Sequence, residues 1–305
     1  MAVGVVDADR NVSYRSLAPS VGLGQEELIE TLEHELQAAR DARPDAEAIG
    51  LGIPCTIDRQ RGVAVMTVNL DLADVPIRDL MHERLGLPVT LDNDANAAIL
   101  AEHRFGAARG AQNAVMLTIG TGIGGGLLIG GEVYRGSSGA GGELGHVVIE
   151  ADGPPCQGNC PNRGCVEALA SGTAIAREGI AAAQAAPDSI LGRAVADGVT
   201  LDGKEVTDAA LAGDPTAVGV LEKVGRRLGV ALSSFANVFE PDIIVIGGGA
   251  IRAGDLLLDP ARDEMATRAL SPMDRTPVVA AELGPDAGMI GAATMALLDR
   301  DRGAT

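Results

Sequence analysis

The sequence has few lysines and few aromatic residues. Of its 305 residues, two are lysine, none is tryptophan, three are phenylalanine and two are tyrosine. The hydrophobic core must therefore be built from aliphatic side chains. The 24 basic and 42 acidic residues give a formal net charge of −18. A surface this acidic repels phosphate backbones, so we expect no nucleic-acid partner.

Long apolar runs are also lacking. No stretch approaches the roughly 18 apolar residues that a transmembrane helix needs, so we expect no contact with a membrane. Residues 1–10 lack the basic head and apolar segment of a secretory signal, which predicts a cytoplasmic protein. Hydrophobic residues make up 46% of the chain, enough for a sizeable core. At about 150 residues per domain, the length indicates two domains or one two-lobed unit.

Strands and helices alternate along the whole chain, which is typical of an α/β fold. Apolar runs between turn residues predict strands, and apolar residues at every third or fourth position predict helices. The strands are predicted at residues 2–7, 12–17, 48–53, 89–92, 114–119, 127–129 and 243–246, the first two forming a hairpin. The helices are predicted at residues 25–40, 77–85, 95–105, 215–238 and 288–299.

Two glycine-rich runs follow predicted apolar strands. The first covers residues 120–126 and the second covers residues 247–249. Without a Cβ atom, backbone N–H groups can approach a phosphate closely, so one nucleotide could lie across both runs. A tight turn without a ligand is the alternative, since the first run lacks the Lys-Ser/Thr ending of a P-loop.

Polar side chains cluster at residues 92–96, where a predicted strand ends and a helix begins. Asp and Asn are good helix N-caps, which is one explanation of the cluster. Four polar side chains exceed what capping needs. A carboxylate at this junction could instead orient and deprotonate a hydroxyl group.

Three of the four cysteines fall within ten residues, at Cys156, Cys160 and Cys165, after His146. A Cys3His set suits tetrahedral structural zinc. The alternatives are a loop of free thiols or a disulfide with one cysteine left over. We favour zinc, because the loop is too polar to pack on itself. Four protein ligands would leave no open position, so the metal would shape the site rather than react. We expect Cys55 to be a small buried apolar side chain.

Seven segments of the sequence form a recognisable series. In order they are Leu51-Gly-Ile-Pro, Asn93-Asp-Ala-Asn-Ala-Ala, Gly120-Thr-Gly-Ile-Gly-Gly-Gly, Gly142-Glu-Leu-Gly-His, Cys160-Pro-Asn-Arg-Gly-Cys-Val-Glu, Asp242-Ile-Ile-Val-Ile-Gly-Gly-Gly and Asp286-Ala-Gly-Met-Ile-Gly-Ala-Ala. Taken together, they resemble the ROK family (repressor, open reading frame, kinase), and within it the bacterial glucokinases. The Glu-x-Gly-His motif paired with the cysteine loop is the most specific part, and the resemblance covers nearly the whole chain.

The resemblance implies a two-lobed, actin-like (ribonuclease H-like) ATPase fold with a zinc-binding loop. The smaller lobe would comprise residues 1–106 and 287–305, and the larger lobe residues 107–286. Sugar and ATP would meet in the cleft between the lobes, and Mg²⁺ would accompany the ATP.

The resemblance also implies roles for single residues. Asp94 would be the general base that takes the proton from the sugar 6-hydroxyl. The sugar would be bound by Asn93, Asp94, Glu143, His146 and Glu167. The ATP phosphates would contact Gly120, Thr121, Gly122 and Gly124, and the adenosine would lie on Gly247, Gly248 and Gly249. Structural zinc would be bound by His146, Cys156, Cys160 and Cys165, with His146 using one ring nitrogen for zinc and the other for sugar.

The chain departs from the family pattern at two places. The family spaces its cysteines C-x-C-x4-C, whereas three residues separate Cys156 from Cys160 here. The family also opens with a strand and an Asp-x-Gly-Gly-Thr-Lys phosphate loop, and residues 1–7 match the strand that follows it. We therefore expect this chain to lack one strand of the smaller lobe and one phosphate loop, to expose a strand edge, and to have weakened catalysis.

The expected activity is transfer of a phosphoryl group from ATP to glucose, giving glucose 6-phosphate. One alternative is a kinase for fructose, N-acetylmannosamine, N-acetylglucosamine or allose, and polyphosphate is an alternative donor. Another is a sugar-sensing regulator, which the net charge of −18 disfavours. A third is a sugar-binding protein without activity. The family resemblance implies a homodimer or homotetramer.

Overall fold

The computed structural model describes residues 1–67 and 70–301. Its strands are β1 (Ala2–Val6), β2 (Val12–Leu17), β3 (Ile49–Ile53), β4 (Cys55–Asp58), β5 (Val63–Thr67), β6 (Ala73–Val75), β7 (Val89–Asn93), β8 (Ala114–Ile119), β9 (Ile123–Ile129), β10 (Glu132–Val133), β11 (Ile243–Gly247) and β12 (Val278–Ala280). Its helices are α1 (Gln25–Ala42), α2 (Ile77–Leu85), α3 (Asp94–Phe105), α4 (Val166–Ala170), α5 (Gly172–Ala185), α6 (Ile190–Ala196), α7 (Gly203–Leu211), α8 (Pro215–Phe239), α9 (Asp255–Arg268) and α10 (Ala287–Asp301). In these two ranges no helix has both the length and the apolar composition that crossing a bilayer requires.

The mixed α/β character is confirmed, and the predicted elements agree with the structure to within two residues, with one exception. Residues 123–126 were expected in an open glycine loop but belong to β9, which pairs with β8 from Ile123 onwards. A Cβ at Gly125 would lie 2.2 Å from the carbonyl oxygen of Gly142, and one at Gly126 would lie 2.7 Å from that of Ala95. These glycines are therefore required by close backbone packing within a strand.

The second half of the chain is built on one five-stranded sheet in the order β10-β9-β8-β11-β12. The central strands β8 and β11 run parallel, and Thr118 is opposite Gly247 in their register. Both glycine-rich runs consequently lie at the same end of the sheet. Helices α8 and α9 pack on one face, with Leu228 and Leu257 in the same hydrophobic cluster as Val115.

In the first part of the chain, the described residues form three small sheets instead of one large one. Strands β1 and β2 form an antiparallel hairpin, β3 pairs in parallel with β7, and β4, β5 and β6 form an antiparallel sheet. Helices α1 and α2 cover a separate hydrophobic cluster that includes Leu28, Met81 and Leu91. The C-terminal helix α10 returns to this part, since a Cβ at Gly50 in β3 would lie 1.8 Å from the carbonyl oxygen of Ala292.

An apolar groove of about 460 Å³ lies between β1 and β3. The two strands are not neighbours in any sheet formed by the described residues. Because backbone groups alternate sides along a strand, the N–H and C=O groups of Gly4 on β1 and of Gly50 on β3 point away from their paired strands. The two strand edges therefore border the groove.

Glu102 binds the two chain segments that link these parts. Its carboxylate is fully buried near the C-terminal end of α3. Oε2 accepts hydrogen bonds from the backbone N–H groups of Ala107 (2.8 Å) and Glu282 (3.2 Å), and Oε1 accepts one from Leu283 (2.9 Å). A Cβ at Gly106 would lie 2.0 Å from Oε2, so only glycine leaves room for this carboxylate. The outgoing and the returning segments are thus joined at one side chain.

Replacing Glu102 with Gln should lower the free energy of unfolding by about 1–3 kcal/mol. The amide would place an NH₂ group against backbone donors and leave at least one buried N–H group without an acceptor. Urea denaturation measures this change. Glu222→Gln on α8 is the matched control, because that carboxylate is exposed and 3.8 Å from its partner Arg226; its effect should stay within about 0.5 kcal/mol. Equal effects of the two substitutions would contradict the assigned role of Glu102.

Candidate active site

The polar junction at residues 92–96 contains both a helix N-cap and a carboxylate that could act on a hydroxyl group. Asn93 ends β7, and its side-chain oxygen accepts hydrogen bonds from the N–H groups of Ala95 (2.8 Å) and Asn96 (3.4 Å). Asn93 is therefore the N-cap of α3. Its amide also donates to the carbonyl oxygen of Cys55 at 3.3 Å. Since Asn93 provides the cap, the carboxylate of Asp94 at the first position of the helix is available for chemistry.

The environment of Asp94 raises the pKa of its carboxyl group above the ordinary value. Burial is the main cause, and the nearby negative charge of Glu143 adds to it. The N–H group of Ala95, 2.9 Å from Asp94 Oδ1, acts in the opposite direction because it stabilises the ionised form. A carboxylate with a raised pKa is a stronger base than one in water, which suits proton abstraction from a hydroxyl group.

Glu143 and His146 lie close together on a short 3-10 turn at Leu144–His146. Glu143 Oε2 is 4.0 Å from His146 Nε2. The other ring nitrogen of His146, Nδ1, is 3.5 Å from the Cys156 sulfur. The ring therefore has one nitrogen on the side of the cysteines and one on the side of Glu143.

The four predicted zinc ligands come together. Their ligand atoms all lie within 4.8 Å of one another. The sulfurs of Cys160 and Cys165 are 3.9 Å apart, and tetrahedral zinc with Zn–S bonds of about 2.3 Å would separate two sulfurs by about 3.8 Å. Cys156, despite its unusual spacing, lies in the same cluster. The donor set and its spacing fit zinc.

Glu167 joins the cysteine loop to the glycine turn. It is buried at the start of α4, and its Oε2 accepts a hydrogen bond from the Ile123 N–H group at 2.8 Å. Its Oε1 accepts from the Cys156 thiol at 3.7 Å. A Cβ at Gly122 would lie 2.3 Å from Oε2. The predicted sugar ligand Glu167 therefore also fixes the protein backbone.

The two glycine turns adjoin each other. The N–H group of Gly120 donates to the carbonyl oxygen of Gly122 at 2.9 Å, which closes a tight turn between β8 and β9, with Thr121 at its tip. Gly248 has φ of +84°, and a Cβ there would lie 2.4 Å from the carbonyl oxygen of Ile119. Of the predicted nucleotide ligands, Gly124 lies within β9. The others, at 120–122 and 247–249, are at the ends of β8 and β11.

Two charged residues beside Asp94 had no role assigned from the sequence. Asp92 is buried at the end of β7, and its Oδ2 accepts a hydrogen bond from Arg135 Nε at 2.5 Å. Its Oδ1 accepts from the N–H group of Asn93 and from Asn96 Nδ2, each at 2.8 Å. Asp92 lay within the polar cluster, but no sequence pattern connects it with Arg135.

Known proteins resemble this chain in both sequence and structure. The model of the ROK family matches residues 1–298. The chain is 37% identical over 297 residues to a glucokinase of Thermotoga maritima, covering 96% of this chain and 93% of that protein. It superposes on the crystal structure of a ROK family glucokinase from Streptomyces griseus in complex with glucose and AMPPNP, with a TM-score of 0.86 and 34% identity, covering 97% and 95% of the two chains.

A similar fold occurs in a relative with another role. A ROK family transcriptional regulator, a homologue of the Escherichia coli MLC protein, superposes with a TM-score of 0.86 at 27% identity, covering 96% of this chain and 74% of the regulator. The architecture common to these neighbours is the actin-like ATPase fold expected from the motifs. With the family model matched over residues 1–298 and this fold in common, the chain belongs to the ROK family.

Proposed function

We propose that this protein is a glucokinase, which transfers the γ-phosphoryl group of ATP to the 6-hydroxyl of glucose and releases ADP and glucose 6-phosphate. The observation that carries the proposal is the position of Asp94. Its carboxylate lies at the N-terminus of α3 near Glu143, and the next residue, Ala95, packs on Gly124 just after the glycine turn. This arrangement would bring a base for the acceptor hydroxyl close to backbone donors for phosphate.

The relatives support glucose as the acceptor and ATP as the donor. The Thermotoga maritima and Streptomyces griseus proteins are both named glucokinases, and the latter was crystallised with glucose and AMPPNP, an ATP analogue. Their identities of 37% and 34% exceed the 27% of the regulator. We therefore favour the kinase over a regulator, and glucose over fructose, allose or an N-acetylated hexosamine.

The proposed mechanism depends on positioning and on one proton transfer. Asp94 accepts the proton of the glucose 6-hydroxyl while the oxygen of that hydroxyl attacks the γ-phosphorus and ADP leaves. Asn93, Glu143, His146 and Glu167 bind the other sugar hydroxyls. The glycine turn at residues 120–122 contacts phosphate, and residues 247–249 support the adenosine. Mg²⁺, bound with ATP, would neutralise phosphate charge.

Zinc would stabilise the sugar side of this site. Bound by His146 Nδ1 and three thiolates, it would fix the imidazole ring and leave Nε2 free for a sugar hydroxyl. A thiolate at Cys156 would no longer donate to Glu167, which would free Oε1 of that carboxylate for a second hydroxyl. The metal would therefore organise two sugar-binding groups and take no part in the phosphoryl transfer.

We also infer that the protein is a cytoplasmic homo-oligomer that feeds glucose 6-phosphate into glycolysis. The substrates ATP and glucose are those of carbohydrate metabolism inside the cell. An interface between copies would cover exposed apolar side chains such as Val238 and Leu270. The Leu270 N–H group donates to Oδ1 of Asn237, the residue before Val238.

Replacing Asp94 with Asn should reduce glucose 6-phosphate formation by about 10²–10⁴-fold, because the amide cannot accept the proton. The fold should be preserved, since the amide oxygen still accepts from the Ala95 N–H group. A coupled assay with ATP, Mg²⁺ and glucose measures turnover. The control Asp79→Asn, at an exposed carboxylate on α2, should retain full turnover. Unchanged turnover in the Asp94 variant would remove Asp94 from the mechanism.

The pH dependence should show the raised pKa of Asp94. The base works only when ionised, so kcat/KM should fall as the pH drops through its pKa, with a midpoint above the ordinary aspartate value of 3.8. The acidic limb of a kcat/KM profile in saturating Mg-ATP, recorded on enzyme that remains folded, gives this midpoint. A profile that stays flat down to pH 3.8 would contradict the assignment.

The cysteine cluster should bind one zinc ion per chain. Cys160→Ser should lose most of the metal, because serine is a poor zinc ligand compared with thiolate. Elemental analysis of the purified protein measures this without reference to activity. Cys55→Ala should keep its zinc, since Cys55 lies outside the cluster. Equal zinc contents in the two variants would refute the proposed ligand set.

A further inference from the structure

We propose that Arg135 is a positioning residue of the phosphoryl transfer: through Asp92 it fixes the turn that carries the general base. This inference rests on the proposed function, because it concerns the delivery of Asp94 to its substrate. Arg135 lies two residues after the end of β10, in the part of the chain built on the five-stranded sheet. Asp92 belongs to β7, in the part that supplies the base.

One carboxylate group connects these two parts. Asp92 Oδ2 accepts a hydrogen bond from Arg135 Nε at 2.5 Å. Asp92 Oδ1 accepts from the residue before Asp94 and from the residue two positions after it, through Asn93 N–H and Asn96 Nδ2. The turn is therefore bound on both sides of Asp94. Among the described residues Arg135 forms no hydrogen bond or ion pair with Asp94, so its effect on the base is transmitted by Asp92.

Charge and burial make this contact selective for a cation. The Asp92 side chain is only 2% exposed and that of Arg135 is 22% exposed. A buried carboxylate without a partner is costly. The guanidinium group of Arg135 balances the charge of Asp92. The capping of α3 does not require this pair, because Asn93 already provides the cap.

Arg135 also begins the loop that leads to Glu143. Its side chain returns to the backbone through a hydrogen bond from Nη1 to the Val133 carbonyl oxygen at 3.1 Å. Its own carbonyl oxygen accepts from the Gly141 N–H group at 2.8 Å, which closes the loop just before Glu143. One residue thus fixes both the turn with the proposed base and the start of the loop with a proposed sugar ligand.

The alternative is an ion pair that only stabilises the fold. The two roles predict different kinetics. A misplacement of the base by about 1 Å can lower kcat by about 10²-fold while ATP binding is unaffected. Loss of a purely stabilising contact would lower the melting temperature but leave the kcat of the folded enzyme unchanged.

The experiment is a double-mutant cycle on kcat with Arg135→Met, Asp92→Asn and the combination. Met keeps the aliphatic stem of Arg135, and Asn keeps one acceptor for Asn93 and Asn96. We expect each single variant to lower kcat by about 10–100-fold with KM for ATP within about twofold of the wild type. The double variant should be no slower than the slower single one, because both substitutions break the same contact. Arg268→Met on α9, which removes an exposed pair with Glu264, should leave kcat unchanged.

The outcomes separate this inference from the proposed function. Full kcat in either Arg135→Met or Asp92→Asn, with Asp94→Asn inactive, would overturn the role of Arg135 alone. Multiplicative losses in the double variant would do the same. If the wild type forms no glucose 6-phosphate, or if Asp94→Asn retains full turnover, the proposed function fails and this inference fails with it. Should Arg135→Met not fold, Asp92→Asn, which preserves side-chain volume, gives the decisive kcat.

Discussion

Helix α3 packs on its neighbours through glycines, and the rest of the structure depends on that contact. A Cβ at Gly126 would lie 2.7 Å from the carbonyl oxygen of Ala95, and one at Gly291 in α10 would lie 1.8 Å from that of Ala97. The backbones of β9, α3 and α10 therefore pack directly against one another, closer than intervening side chains would allow. This contact fixes the start of α3 relative to the five-stranded sheet and to α10. One end carries Asp94, and the other carries Glu102.

The proposed site combines groups from separate parts of the chain, and buried polar contacts hold these groups at fixed positions relative to one another. Glu167 connects the glycine turn with the cysteine loop, and Asp92 connects the turn at Asp94 with Arg135. Both carboxylates are buried, and each of their oxygens accepts a hydrogen bond from a backbone N–H group or a side chain. Hydrogen bonds in such surroundings hold geometry well, because leaving any of their groups unpaired is expensive. A phosphoryl transferase needs this kind of rigidity more than it needs reactive groups.

Local sequence signals predicted seven of the twelve strands and five of the ten α-helices formed by the described residues, and they predicted the metal cluster. Helix α8 was predicted because Asp214, Pro215 and a regular apolar pattern mark its start and its buried face. Helix α9 was not, because Pro260 lies inside it and such a residue normally ends a helix. The glycines of β9 were placed in a loop, since the close packing that requires them involves residues distant in the sequence. His146 and the cysteines were found because their residue types alone indicate a metal.

The contact between Asp92 and Arg135 could not be predicted in the same way. The two residues are 43 positions apart, and neither lies in a pattern that names the other. Long-range pairs of this kind follow from topology, which places the end of β7 beside the end of β10. Local signals therefore predict which residues are chemically able to act. The folded structure is needed to show which side chains hold them in place.

Glu102 binds both chain segments that link the two parts of the molecule, and this has a consequence for how such proteins can be recombined. Its carboxylate contacts backbone N–H groups of Ala107, Glu282 and Leu283, and it needs only a glycine at position 106 to make room. No side chain at the three donor positions takes part. A chimera could exchange the segment between Ala107 and Glu282 for that of a relative. These hydrogen bonds would be kept if the chimera retained Glu102 and Gly106. This one connection between the two parts is therefore indifferent to most of the sequence that it binds.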